Sequence, residues 1–217
     1  MKITCISAAN VEGARHHSAS TRTCELIAGH IQARKWIGEI EILPLIDYEM
    51  KPCRMCGQCF ATQRCSRDEA YNQVFEKLTA SDALFFVIPH YAPFPSKIMI
   101  LLEKLEELAY LKYCSDPQYV FPLAGKPAGL IVHGGQTEEA LPYYKNSLLD
   151  PLAAAFSAAQ LKIIGADEQN PNGVVFGIRQ LTKPADSIFV EITHDWDTIN
   201  ARILPLVEKV IETIGLG

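Results

Sequence analysis

Four cysteines carry the sharpest chemistry in this 217-residue chain. Cys53, Cys56, Cys59 and Cys65 follow one another as C-x2-C-x2-C-x5-C. Structural zinc usually takes two Cys pairs separated by a longer loop, whereas a consecutive C-x2-C-x2-C run is the spacing that wraps a cubane iron-sulfur cluster. Iron and sulfide are therefore favoured over zinc at these four positions. Thiols that hold no metal and are free or redox-labile remain a third reading. Cys65 is followed by Ser66 and lacks the proline of the bacterial ferredoxin run, so that match is partial. Seven cysteines, an odd number with four in one stretch, fit metal binding in a reducing cytoplasm better than a secreted disulfide framework. Cys5, Cys24 and Cys114 fall on apolar faces or near element ends and read as ordinary thiols.

Three further segments could meet a ligand. After a first apolar run, the loop from Asn10 to His17 leads into Ser18-Ala19-Ser20-Thr21, which opens a helix. Helix starts present unpaired N–H groups and a partial positive charge, and short hydroxyl side chains add donors, so Ser18, Ser20 and Thr21 could cradle a phosphate. Arg15, Arg22, His16 and His17 could add positive charge; the plainer reading is a cap on the helix by Ser18 or Ser20. The second segment, Pro89-His90-Tyr91-Ala92-Pro93-Phe94-Pro95-Ser96, combines a stiff backbone with flat side chains suited to a planar ring, or to an aromatic plug in the core. The third, His133-Gly134-Gly135-Gln136, allows close backbone approach to a ligand or makes a simple tight turn. No G-x-G-x-x-G occurs after the first strand, so a dinucleotide-binding Rossmann unit has no support.

These segments need elements to hold them. Apolar runs at Met1 to Ala9, Glu39 to Leu45, Ala83 to Ile88, Lys126 to His133 and Leu161 to Ala166 predict five strands. Helical spacing predicts helices over Ser20 to Arg34, Asp68 to Thr79, Ser96 to Tyr110 with Ser96 as N-cap, most of Thr137 to Ala159, and Asp195 to Ile214 with a kink at Pro205. Strands apolar on both faces and alternating with helices mean a parallel sheet covered on each side, with ligands beyond the carboxyl ends of the strands. Two extended runs, Val174 to Arg179 and Ser187 to Ile192, predict a hairpin within 169–193. No linker divides the chain, so residues 1–217 read as a single domain with a cysteine-motif insertion at about 48–67.

Composition narrows the function classes. Hydrophobic residues make up 48% and charged residues 21%, which argues against disorder and against a membrane-embedded bundle. The net charge of -5, with no run of Lys and Arg, makes nucleic acid a poor partner. The stretch from Ala83 to Ser96 carries three prolines and is too short to span a bilayer. The N-terminus reads as a strand and not as a signal peptide, so no membrane partner and a cytoplasmic location are expected.

Taken in order, the segments resemble the NADPH-dependent FMN reductase group of flavodoxin-like proteins, and within it the iron-sulfur flavoproteins. MKITCISAAN is similar to the group's first strand and loop, SAST to its phosphate-binding turn, KPCRMCGQCFATQRCSRDEA to its compact cysteine motif, and PHYAPFPSKIMILLEKL to its Pro-x-Tyr loop and following helix. The resemblance covers about residues 1 to 165. It implies a flavodoxin-like three-layer α/β sandwich with a five-stranded parallel sheet. It implies FMN held at the phosphate by Ser18, Ser20 and Thr21, lined at the ring by Pro89, His90, Tyr91, Ala92 and Pro93, and flanked by Gly134 and Gly135. NAD(P)H would donate electrons, and a small acceptor, or a redox protein such as a ferredoxin, would receive them. A homodimer or homotetramer would complete the pocket, and one [4Fe-4S] cluster could sit at Cys53, Cys56, Cys59 and Cys65. The group usually has Gly-Ser where this chain has Ala8-Ala9, and the loop to Ser18 is long. Two other functions fit the same residues: a non-enzymatic flavin and iron-sulfur electron carrier, and a flavin-free protein holding zinc at the cysteines.

Overall fold

A computed structural model describes residues 1–34, 38–114, 116–186 and 190–215. The element order alternates from the start: β1 (Lys2–Ser7), α1 (Ala19–Ala33), β2 (Glu39–Pro44), a short α2 (Cys59–Thr62), α3 (Glu69–Thr79), β3 (Ala83–Pro89), α4 (Ser96–Cys114) and β4 (Pro127–His133). Then come α5 (Leu141–Tyr144), α6 (Asp150–Ala158), β5 (Lys162–Ile164), β6 (Val174–Phe176), β7 (Gln180–Thr182), β8 (Glu191–Thr193) and α7 (Trp196–Thr213). The main sheet runs β2-β1-β3-β4-β5, every pair parallel, with β6 also on β4.

Strand β3 shows why the sheet is buried on both faces. Its sequence ALFFVIP has no polar residue, and all seven positions are buried. Because side chains alternate along a strand, Leu84, Phe86 and Ile88 join a core that includes Leu78, Leu101, Leu105 and Phe156. Ala83, Phe85 and Val87 join a second core with Ile27, Ile203 and Val207. One face is thus covered by α3, α4 and α6, and the other by α1 and α7. Each of the two buried Phe side chains contributes roughly 1.5–3 kcal/mol.

The topology also fixes where a ligand can enter. From β1 the chain steps to β2 on one side and returns to β3 on the other, so the loops leaving β1 and β3 diverge and open a crevice at the carboxyl edge. Asp68 caps α3 by accepting from the Tyr71 amide at 3.0 Å, and Asp195 caps α7 by accepting from Thr198.

Several expectations are corrected. The fifth sheet position is filled in two pieces: β5 pairs with residues 127–129 of β4 and β6 with residues 131–133, leaving the loop 165–173 between them. Val174 to Phe176 is therefore buried sheet and not a hairpin arm, because its three apolar residues find an open edge on β4. The hairpin is formed by β7 and β8, and residues 187–189 of the expected second run lie outside the described residues. Ser96 does not cap α4; Met99 donates to the Pro95 carbonyl, so Ser96 is already in the first turn and its hydroxyl accepts from Asn10. The segment after Thr137 is helical as expected, running through a 3-10 turn, α5, a π turn at Lys145–Leu149 and α6, with Pro142 and Pro151 each near the start of its α-helical piece.

Gly173 makes the return into β6. Its φ is +125°, and a Cβ there would lie 2.2 Å from the Leu130 carbonyl oxygen. Gly173→Ala is expected to destabilise the fold by at least about 2 kcal/mol, read as a lowered midpoint in urea unfolding with little change in slope.

Candidate functional site

The three rims meet. At the first, Ser18 caps α1, its hydroxyl accepting from the Thr21 amide at 3.1 Å. The Thr21 hydroxyl lies 2.9 Å from Ser7 Oγ and 3.0 Å from Ser18 Oγ, and Ser20 Oγ lies 2.8 Å from His133 Nε2. All three expected hydroxyl residues are buried, and the amides of Ala19 and Ser20 have no acceptor within the helix. His16 is exposed and pairs with Asp47 at 3.3 Å, His17 is exposed, and Arg22 lies 4.7 Å over the Trp196 ring. The Arg15 side chain lies outside the described residues, as does that of Cys114.

At the second rim Pro89 ends β3 and is buried, Tyr91 and Pro93 are half-buried, and Ala92 is exposed with φ +55°. His90 donates its amide to the His133 carbonyl at 2.7 Å, tying this rim to the third. The Asn10 amide donates to the Tyr91 hydroxyl, tying it to the first; burial outweighs that bond and pushes the phenol up. The His90 ring sits against Tyr143 and Tyr144, with centroids 5.4 and 5.0 Å away. At the third rim Gly134 is buried, and a Cβ on it would lie 2.1 Å from the Tyr144 ring; that ring's hydroxyl accepts from the Gln136 amide at 3.0 Å. Gly135 is exposed, with open space where a side chain would stand.

Two atoms of this cleft are left wanting partners. Asn10 Oδ1 and His90 Nε2 are buried without a hydrogen-bond partner among the described residues. Both belong to the rims of β1 and β3, where the sheet topology opens.

His133 anchors the cleft from below. Its ring stacks on Phe176 at 4.9 Å, Phe176 meets His194 edge-on, and His194 stacks on Trp196 at 4.9 Å. Burial, then the neighbouring His194, pushes the His133 imidazole down to about 3. It is neutral at pH 7, so its bond to Ser20 is between uncharged groups.

The four expected metal ligands stand elsewhere but together. Cys53, Cys56, Cys59 and Cys65 line one cavity of about 410 Å³ beside α3 and α4, with Lys51, Asp68, Tyr71, Lys104 and Glu107. The loop turns through left-handed Met55, Gly57 and Gln63. Cys53 donates its amide to Glu103, Lys51 donates its amide to Asp68, and Asn72 clamps Cys65 by both its amide and its carbonyl at 2.9 Å. The Met55 amide points at Cys53 Sγ, 3.4 Å away. Burial, then Glu107, pushes the Cys59 thiol up, the reverse of what an activated nucleophile needs. Among the described residues no three His, Cys, Asp or Glu side chains gather tightly enough for a single metal ion.

The sequence reading missed Asn10, Ser7, Tyr144, Tyr71 and Lys104. Lys104 left a signal: it shares the apolar stripe of Leu101 and Leu108 on α4, and a charge there has to be paired. Asp68 is its partner.

No family model matches the chain. An oxidoreductase from Corynebacterium diphtheriae superposes over 98% of this chain and 96% of its own, with TM-score 0.58 at 14% identity. An NAD(P)H:(acceptor) oxidoreductase flavoenzyme from Paracoccus denitrificans superposes over 97% of each chain, with TM-score 0.53 at 12% identity. The fold is flavodoxin-like. An NAD(P)H:quinone oxidoreductase from Methanothermobacter marburgensis matches the flavodoxin-like fold over 100% of this chain and 99% of its own, with TM-score 0.52 at 12% identity. In sequence, the chain resembles the iron-sulfur flavoprotein of Methanosarcina thermophila, 28% identical over 107 residues, 48% of this chain. The match spans about half (52%) of that protein's length. No helix among the described residues of this flavodoxin-like chain is long and apolar enough to cross a membrane.

His133 sets a pH dependence. Its folded value lies below the ordinary imidazole range, so its contribution to stability is present above about pH 6.5 and is lost as pH falls towards 3. Between pH 7 and 5 this group should cost the protein on the order of 2 kcal/mol of unfolding free energy. Urea titrations at the two pH values should show a shallower loss in His133→Gln than in the unsubstituted protein.

Proposed function

We propose that this chain is an FMN-dependent oxidoreductase that takes electrons from NAD(P)H and passes them to a small acceptor, such as a quinone or a free flavin, or to a redox protein. The observation that carries the reading is the convergence of the three strand rims through Ser20 with His133, Asn10 with Tyr91, and His90 with His133. The residues fit the cofactor: a helix start rich in hydroxyls stands at one end of the crevice, and buried, unpartnered acceptor and ring-nitrogen atoms stand at Asn10 and His90. FMN, when bound, supplies hydride acceptance and releases one or two electrons, chemistry that requires no side-chain acid or base.

The chain's own residues bind, orient and exclude water. Ser18, Ser20 and Thr21, with the amides of Ala19 and Ser20, would hold the phosphate. Pro89, His90, Tyr91, Ala92 and Pro93 would line the ring, and Gly134 and Gly135 would keep the third rim free of side chains. His133, neutral and buried, fixes the Ser20 hydroxyl from beneath. Ala8 and Ala9, both buried, take the place of the usual Gly-Ser, so the hydroxyls of Ser7 and Thr21 carry the polar character of this turn.

The second half of the proposal is a [4Fe-4S] cluster at Cys53, Cys56, Cys59 and Cys65, which would add one-electron steps towards a protein acceptor such as a ferredoxin. Its support is that all four cysteines line one cavity, wider than a single ion needs, and that a backbone amide already points at the sulfur of Cys53. A homodimer or homotetramer completes the flavin pocket in this reading.

Anaerobically purified protein should show a flavin absorption spectrum, contain iron and sulfide, and oxidise NADH or NADPH in the steady state. A colourless protein holding one zinc would sink the assignment. Bound flavin without nucleotide turnover would point to an electron carrier. Thr21→Ala should weaken FMN binding at least about tenfold, roughly 1.4 kcal/mol, and leave riboflavin binding unchanged, as read by quenching of flavin fluorescence.

A further inference from the structure

The cavity at the cysteines holds donors that the thiols alone do not occupy. Tyr71, on α3, is 1% exposed and lines this cavity, and its hydroxyl is buried with no hydrogen-bond partner among the described residues. A buried phenol left unpaired is unfavourable, and such groups are retained where something else takes them up. Its phenol has a proton to give, and it stands in the same cavity as the four cysteines.

Lys104 approaches from the neighbouring helix. It is 4% exposed, ion-paired with the equally buried Asp68, 3.9 Å from Cys65 Sγ and 4.9 Å from the Tyr71 ring centroid. Asp68 already accepts from the amides of Lys51 and Tyr71, so its position is fixed without the lysine. A buried ion pair is weak support for stability by itself, which leaves the direction of this ammonium, towards Cys65, to be explained. Glu107 lines the same cavity and opposes it, while Lys51, Arg54 and Arg67 are exposed at the mouth.

We propose that the Tyr71 hydroxyl and the Lys104 ammonium are hydrogen-bond donors to the sulfur of the cluster at Cys53, Cys56, Cys59 and Cys65, and that they set its reduction potential. The proposal rests on the cluster reading above. Adding an electron adds negative charge to the cluster, so donors and a buried cation beside its sulfur stabilise the reduced form and raise the potential.

The test is the midpoint potential of the cluster in anaerobically reconstituted full-length protein, followed by electron paramagnetic resonance. Tyr71→Phe and Lys104→Met should each lower the reduction equilibrium constant about tenfold, a fall of about 59 mV for a one-electron couple. Asp68→Asn, which leaves the ammonium uncompensated, should move the potential the opposite way. Tyr71→Phe differs by one oxygen and decides the matter if Lys104→Met does not fold. Its metal-free form should melt no lower than the unsubstituted protein, since it loses an unpaired hydroxyl. A cluster that forms but keeps its potential in all three variants overturns the donor assignment and leaves the cluster reading standing. Failure of the unsubstituted protein to take up iron and sulfide overturns both.

Discussion

Strands β1, β3 and β4 have no solvent face, and the rest of the molecule follows from having to cover them twice. Helices α3, α4 and α6 close one side and α1 and α7 the other, so the backbone is exposed chiefly at the strand ends. At the carboxyl end the chain reverses its direction of travel across the sheet between β1 and β3. The polar groups that gather there cannot be paired by sheet or helix. Many pair with one another, Ser7 with Thr21 within the first rim, and Ser20 with His133 and Asn10 with Ser96 between rims, while Asn10 Oδ1 and His90 Nε2 find no partner among the described residues. A cleft whose walls are joined by hydrogen bonds between different loops is pre-organised, which is what binding a rigid planar ring rewards.

The neutral state of His133 belongs to this arrangement. An imidazolium buried between Phe176 and the first turn of α1 would carry an uncompensated charge, so the ring stays neutral and serves as a packed post under Ser20. Through Phe176, His194 and Trp196 the same post is continuous with α7, and Arg22 on α1 closes the circuit over the Trp196 ring. The turn at Ser18, Ser20 and Thr21 is therefore braced by an aromatic stack through His133.

The fold class and the three segments that meet at the strand ends were legible because their signals are local. ALFFVIP can be little else than a buried strand, and SAST before an apolar period is a helix start whatever the tertiary context. Val174 to Phe176 was not legible as sheet, since a three-residue apolar run takes its identity from the partner edge it finds on β4. Ser96 was misjudged by one position because Pro95 lends its carbonyl to the first turn, a choice that hydroxyl statistics cannot anticipate. Asn10, Tyr71 and Tyr144 were invisible for a different reason. Each matters through a contact more than five residues away in the chain or through the lack of one, and neither leaves a mark on the residue type.

Helix α4 is the physical link between the two regions with chemistry. Its first turn holds the rim of β1, where the Ser96 hydroxyl accepts from Asn10, and Lys97 donates to the carbonyls of Leu45, Ile46 and Tyr48 at the exit of β2. Two turns later Glu103 accepts from the Cys53 amide, and Lys104 pairs with Asp68 and reaches Cys65. From Ser96 to Lys104 the helix rises roughly 12 Å, so one rigid element fixes the cleft and the thiol cavity at a set separation. The cysteine loop inserts between β2 and α3, and these two side chains, together with Asn72 at Cys65, tie it to the neighbouring helices. With them it moves as part of the body that carries the cleft, so the thiol cavity and the cleft keep a constant distance.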